Sequence, residues 1–394
     1  MSESLRIAVV TPIPTPYRDR FWNVVAEQKG VSLDVFFCAK GKPDRPWDVT
    51  WPQEFNAVYP ASRNLLSWRG PTASCYWNAE VGRTIRKGNY DAVLVGGYNH
   101  VTMLSAVRAA RSAGSPWYLM CESNMSAKRG AVKSAVKDFA LKRWLKTAKG
   151  GLPTGTLASA YLRHYGFADE RLFQLPNVPD VDSLRDRSLE LAPLRMPFRE
   201  TMGLRPDSTV LLFVGRFIQS KGVLELMAAF GRVANGRDLE LVMVGDGPLR
   251  DDLEQLKQQS KYTDRIHFPG FVAPEDIVKW FCAADVMVHP SRETWGVVIL
   301  EAIASGLPVL VSDRTGCARD VILDDTVGRV LENTHEEALA ESIADWVDTS
   351  APRELAAIHG QWQAGFDKFG HKSLAGRLVE MLTANAPARK VAVA

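Results

Sequence analysis

His289-Pro-Ser-Arg-Glu293-Thr-Trp-Gly296-Val-Val-Ile-Leu-Glu301-Ala-Ile-Ala-Ser-Gly306-Leu-Pro308 is the stretch that decides the fold. A β-rich run ends at His289, a short loop carries Glu293, and an almost wholly apolar helical segment, Val297 to Ala304, opens after Gly296. Gly306 and Pro308 stop that segment and feed the next β-rich run. Strand, loop, helix and strand in so short a span make the repeating unit of a parallel sheet. Backbone N–H groups at the helix start are unpaired and partly positive, so this loop is a natural anion site. Glu301 stands in a helix that has no solvent face, where a carboxylate is costly without donors. Sugar hydroxyls such as a ribose diol would satisfy it, as would a core Arg or a backbone amide.

Outward from this unit, the same alternation fills the chain. Strands are expected at Arg6–Thr11, Leu33–Cys38, Asp91–Val95 and Trp117–Cys121, then at Thr209–Val214, Glu240–Val244, Val286–His289 and Pro308–Val311. A helical pattern follows nearly every one, which predicts α/β with two doubly wound, Rossmann-like domains facing across a cleft. Residues 1–185 are read as the first domain, 186–206 as a linker, 207–370 as the second domain and 371–394 as a terminal helix. Two further strand-to-helix turns carry chemistry. Val214-Gly215-Arg216-Phe217-Ile218-Gln219-Ser220-Lys221-Gly222 puts two cations at a helix start, where they would hold a diphosphate or simply be solvated surface charge. Val244-Gly245-Asp246-Gly247-Pro248 adds a tight glycine turn, weak as a signal by itself.

Composition bounds the possibilities. Of 394 residues, 46% are hydrophobic and 24% charged, the balance of a globular protein. No apolar run reaches the ~18 residues that cross a bilayer. The apolar run after Arg6 meets Pro12, Pro14 and Pro16 at once, as a buried first strand would and a signal peptide would not. Cys38, Cys75, Cys121, Cys282 and Cys317 are scattered without a CxxC pair, against a disulfide framework or a zinc site. A cytoplasmic setting follows. Residues 1–190 carry 26 Lys+Arg against 17 Asp+Glu, and the remainder 22 against 28. The basic first half therefore suits an anionic partner.

Glu293 and Glu301, seven residues apart and followed by Ala302, Gly306 and Pro308, resemble the E-x7-E signature of the retaining glycosyltransferases of family four. Gly215-Arg216 with Lys221-Gly222 resembles that family's phosphate loop. Gly245-Asp246-Gly247-Pro248, Phe268-Pro269-Gly270-Phe271 and Leu175-Pro176-Asn177-Val178 resemble its other landmarks. The resemblance implies a GT-B fold, with a nucleotide-sugar donor on the second domain and the acceptor on the first. It implies that Gly215, Arg216, Lys221, Gly245 and Phe271 surround the nucleotide, that Glu293 with Trp295, Gly296 and Val297 surrounds the sugar, and that Glu301 binds the ribose. It implies a terminal segment that crosses back to the first domain. It further implies a front-face, retaining transfer of a hexose or related sugar to a glycan or lipid-linked acceptor. With no DxD motif in a metal-site setting, no metal or other cofactor is expected.

Two departures stand out. Where the family often has a glycine pair after the first strand, this chain reads Thr11-Pro-Ile-Pro-Thr-Pro16-Tyr17-Arg18, with Arg18 as the compensating candidate. Where it often has a histidine near the reacting carbon, this chain has Cys121-Glu122-Ser123-Asn124; Glu122 is the candidate, and His100 beside Asn99 a second. Either could instead be a structural loop residue. Lys128, Arg129, Lys133, Lys137, Lys142 and Arg143 stand near one acid, Asp138, with Val132, Val136, Phe139 and Trp144 at helical spacing between them. That is the pattern of a helix on an anionic membrane, here the inner face, or of a helix packed by its apolar stripe with solvated lysines. No nucleic-acid module accompanies the charge. The rival expectations are a nucleotide-sugar epimerase or sugar phosphorylase on the same fold, and a non-catalytic nucleotide-sugar-binding subunit.

Overall fold

The computed structural model describes residues 4–41, 51–70, 73–125, 138–139, 141–350 and 353–387. They fall into two units. One comprises the chain up to Val178 together with the segment from His371; the other is Pro179–Gly370.

The first unit carries β1 (Leu5–Thr11), β2 (Val31–Phe37), β3 (Asn56–Val58), an antiparallel pair β4 (Arg63–Asn64) and β5 (Tyr76–Trp77), then β6 (Ala92–Gly96), β7 (Trp117–Cys121) and β8 (Gly150–Pro153). Its parallel sheet has the order β3-β2-β1-β6-β7-β8. The second unit carries β9 (Thr209–Val214), β10 (Leu239–Val244), β11 (Ile266–Gly270), β12 (Val286–His289), β13 (Val309–Ser312) and β14 (Gly328–Leu331). Its sheet, parallel throughout, has the order β11-β10-β9-β12-β13-β14. Strands covered on both faces read as continuous apolar runs rather than alternating ones. Ile7–Val10 in β1 and all of β10 are accordingly buried. In each sheet the order reverses between the first and fourth strands, β1/β6 and β9/β12. A crevice for ligands opens at such a switch point, beyond the carboxyl ends of the strands.

The elements that sequence pattern missed have packing reasons. Gly150-Gly151-Leu152-Pro153 forms β8 despite its composition by pairing in parallel with β7, and it does so where side chains at the glycines would not fit. A Cβ on Gly151 would lie 2.6 Å from Leu162, and one on Gly150 3.0 Å from the Arg171 carbonyl. β11 contains Pro269 and is the outer strand of its sheet, where a missing N–H is tolerated.

Residues 186–206, read as a linker, are mostly helical: they continue helix Val181–Leu191 and include a short 3-10 turn and helix Arg195–Thr201. The unit boundary falls at Val178/Pro179, ahead of residue 185. The arginines that gave this stretch its polar look are clamps. Buried Arg199 donates to the Ala283 carbonyl at 2.9 Å and, with Arg195, pairs with Asp285. Helix His371–Ala384 packs on helix Pro16–Ala26 of the first unit, with His371 edge-on to Phe21 at 5.9 Å and bonded to the Val178 carbonyl at 3.1 Å.

Candidate active site

The switch point of the second sheet collects the cations and carboxylates singled out in the sequence. β9 ends in the loop that carries Arg216 and Lys221, and β12 ends in the loop that carries Glu293. The two loops are tied by the Arg292 N–H, which donates to the Ser220 carbonyl at 2.8 Å. Gly222 makes the approach possible. Its φ is +68°, and a Cβ there would lie 2.9 Å from the Pro290 carbonyl oxygen. Lys221 thereby reaches Glu293 and pairs with its Oε1; the two side chains are only 16% and 20% exposed.

Three groups surround that same oxygen. Besides the Lys221 ammonium, His289 Nε2 lies 2.6 Å from Glu293 Oε1, and the Ser291 hydroxyl donates to it at 3.0 Å. Thr315 supports Ser291 from beneath, donating to its carbonyl at 3.0 Å. The Glu293 backbone is pinned as well: its N–H donates to the Arg314 carbonyl at 3.3 Å, and its carbonyl accepts from Gly316 at 3.1 Å. Burial works to raise the Glu293 carboxyl, but the hydrogen bond from His289 and the charge and hydrogen bond of Lys221 act against it. The carboxyl is held well below its usual range. Burial also holds the His289 imidazole below its usual value, against the pull of Glu293. With the ring neutral, Lys221 supplies the charge that keeps Glu293 ionised.

The remaining second-unit candidates line the same sheet edge. Arg216 is exposed, and its side chain has no hydrogen-bond or ion-pair partner among the described residues. The Phe217 N–H donates to the Asp246 carbonyl at 2.9 Å, and the Gly245 N–H to the Gly270 carbonyl at 2.8 Å, so the ends of β9, β10 and β11 are knitted together. Phe271, just past β11, is 79% exposed. Trp295 is buried, and Gly296 precedes helix Val297–Ala304, on which Glu301 is half-buried between buried Leu300 and Ala302.

The switch point of the first sheet holds a cavity of about 240 Å³, with Thr11, Thr15, Tyr17, Arg18, Asn99 and Glu122 among its walls. Pro16 is the first residue of the helix that presents Tyr17 and Arg18, a position where its missing N–H costs nothing. Arg18 donates to Glu122 Oε1 at 2.6 Å, and the Asn177 amide donates to the same oxygen at 3.0 Å. Asn124 is half-buried and not part of the cavity wall. His100, the second candidate, follows Asn99 of the cavity wall. It is buried at the start of helix Val101–Ala113, where Nδ1 accepts the Tyr76 N–H at 3.2 Å and the ring packs on Tyr76 at 5.0 Å. The packing against β5 that this creates is a fold contact. Lys142 and Arg143 are exposed; Lys128, Arg129, Lys133 and Lys137 lie outside the described residues. Among the described residues no helix is long and apolar enough to cross a membrane.

His289, Ser291, Thr315 and Asn177 were given no role by the sequence. His289 offered one signal: an ionisable ring closing an apolar strand four residues before Glu293.

Residues 196–359 match the family described as Glycosyl transferases group 1. Among similar proteins, the D-inositol 3-phosphate glycosyltransferase of Paenarthrobacter aurescens is 33% identical over 220 residues, covering 52% of this chain and 52% of that protein. The 2-deoxystreptamine glucosyltransferase of Streptomyces kanamyceticus is 31% identical over 249 residues, covering 60% and 61%. The chain thus spans about half the length of the curated relatives it matches. Among solved structures, Anabaena HepE in complex with UDP superposes with a TM-score of 0.71 at 17% identity, over 97% of this chain and 100% of that one. Likeness at that identity shows the fold, which is of the GT-B type with two Rossmann-like parallel sheets.

Proposed function

We propose, from the match of residues 196–359 to the group 1 glycosyl transferases, that this chain transfers a hexose or related sugar from a nucleoside-diphosphate donor to an acceptor hydroxyl, with retention and without a metal ion. The observation that carries the reading is the pairing of Lys221 with Glu293 across the second switch point. A cation and a fixed carboxylate side by side suit a ligand that is anionic at one end and rich in hydroxyls at the other. Arg216 and Lys221 would bind the diphosphate, Glu293 would accept from hydroxyls of the sugar, and Glu301 from the ribose. An acceptor hydroxyl would attack the anomeric carbon on the face from which the diphosphate departs. Its proton would pass to an oxygen of the departing phosphate as the old C–O bond breaks and the new one forms. Lys221 and Arg216 would stabilise the charge that develops on the leaving group.

The acceptor is assigned to the first unit, whose cavity offers Arg18, Glu122 and threonine hydroxyls to a glycan or the sugar of a lipid-linked glycan. Peripheral contact with the inner membrane face, through exposed Lys142 and Arg143 and the 75%-exposed Phe139, belongs to the same proposal.

A thermal-shift screen against UDP, GDP and ADP and their sugar conjugates, after exhaustive chelation, tests the donor half. A rise of several degrees with one nucleotide family is expected, since ligand bound only by the native state adds stability by mass action. No shift with any of them at millimolar concentration counts against the reading, and a shift only on restoring a divalent ion removes the metal-free part of it.

A further inference from the structure

We propose that His289 is a positioning residue that sorts the two oxygens of the Glu293 carboxylate, anchoring Oε1 to the protein so that Oε2 faces the ligand; this rests on the donor reading above. Oε1 is crowded, with His289 Nε2 at 2.6 Å, the Ser291 hydroxyl at 3.0 Å and the Lys221 ammonium. Among the described residues no hydrogen bond from His289, Ser291 or another side chain or backbone N–H ends on Oε2. One oxygen is therefore saturated and the other is left to accept.

His289 is built for a fixed role. Its side chain is fully buried, and its ring lies parallel to Phe213 of β9, with centroids 5.4 Å apart and planes 13° from parallel. Nδ1 is buried without any partner among the described residues. An Nε2–H tautomer uses the ring's only donor on Glu293 and leaves Nδ1 as a bare lone pair. Protonation would place a second N–H at Nδ1 where nothing accepts it, and would add a second cation beside Lys221. The imidazole thus stays neutral and aims one N–H at one oxygen. Ser291, held by Thr315, supplies a second fixed direction. Lys221 can leave Oε1 for a phosphate; His289 and Ser291 stay, and the carboxylate keeps its orientation while its partner is exchanged.

The test compares binding and turnover. His289→Phe keeps a ring on Phe213 and removes the donor; His289→Gln offers an amide donor in its place. The probes are UDP-glucose and GDP-mannose, each beside its bare diphosphate, using the pair that the wild type binds and hydrolyses faster. His289→Phe should lower kcat for donor hydrolysis by about 10–100-fold, the worth of a hydrogen bond to a charged group, while the Kd of the bare diphosphate stays within about twofold. His289→Gln should recover most of that loss. Ser291→Ala, a milder change should His289→Phe not fold, should lower kcat by about threefold to tenfold with the same split. Equal losses for the sugar conjugate and the bare diphosphate would overturn the proposal, because they would mark a merely structural histidine. Unchanged turnover in His289→Phe while Glu293→Gln abolishes it would overturn this inference alone. Unchanged turnover in Glu293→Gln would overturn the donor reading as well.

Discussion

The two sheets have the same strand order and the same switch point, yet the loops at those points do opposite things. In the second unit the loops after β9 and β12 close on each other, because Gly222 lies against Pro290, and bring a cation onto a carboxylate. In the first unit the loop after β1 is Pro12-Ile13-Pro14-Thr15, whose stiff backbone stays open around a cavity. There the cation comes from a helix and the carboxylate from beyond β7, and Glu122 is 44% exposed against 20% for Glu293. Topology decides where a site can be; loop composition decides whether it becomes a buried ion pair or an open bowl. The two cations are equally shielded, at 15% for Arg18 and 16% for Lys221, so the contrast lies in the carboxylates: Glu293 is poorly screened and suits a fixed electrostatic task, whereas the more open Glu122 can yield to a ligand.

Breaking the buried pair should have the largest effect. Lys221→Ala should lower kcat by about 10²–10³-fold, the usual cost of removing a group that stabilises a developing anion. The matching change in the first unit, Arg18→Ala, should raise the KM of the acceptor by about tenfold and leave nucleoside-diphosphate affinity unchanged. Steady-state kinetics with both substrates varied would check the pair. If Arg18→Ala matched Lys221→Ala in its loss of kcat, the division of labour between the units would fail.

Two glycines sharpen the contrast in stability. Gly97 has φ +96° and open space where a Cβ would stand, whereas Gly222 has φ +68° and the Pro290 carbonyl in the way. Gly97→Ala should cost about 1–2 kcal/mol for the left-handed backbone alone. Gly222→Ala should cost about 1–3 kcal/mol more for the overpacking. Urea unfolding monitored by fluorescence would separate them, and equal losses would mean that the loops of the second site are less constrained than their contacts imply.

Acidification should give the smallest effect. Burial lowers both His289 and His359 in the second unit, the latter against its bond to the Ala304 carbonyl. An unfolded histidine takes up a proton near pH 6.5 while the folded one stays neutral, so the unfolded state binds more protons below that pH. Stability should therefore fall as pH drops below 6.5, by at most about 1.4 kcal/mol per histidine per pH unit. It should level off once the folded histidines also protonate. Replacing either with Gln should flatten the slope of unfolding free energy against pH between 6.5 and 5.

Much of the fold was legible because its signals are local. The strands at Arg6–Thr11, Trp117–Cys121, Thr209–Val214 and Val286–His289 announce themselves as apolar runs closed by turn residues. The His289–Pro308 stretch carries its own strand end, loop, helix and stop. The identities of Lys221, Glu293 and Glu301 as candidates followed from where they sit on such units. Legibility ended where a residue's role depends on a distant partner. Gly150–Pro153 is a strand through its parallel pairing with Trp117–Cys121, and the arginines of 186–206 look like linker charge until Asp285 is found beside them.

The sequence by itself determined two parallel α/β sheets, the loops that carry charge, and the helix start beside Glu293, because hydrophobic period and turn chemistry act over a few residues. Only the tertiary structure decided that Lys221 meets Glu293, that His289 stands behind the carboxylate with one nitrogen used and one bare, and that Arg18 faces Glu122. Those pairings arise when strand order brings separate loops to one switch point and burial removes the water that would otherwise have satisfied each group alone.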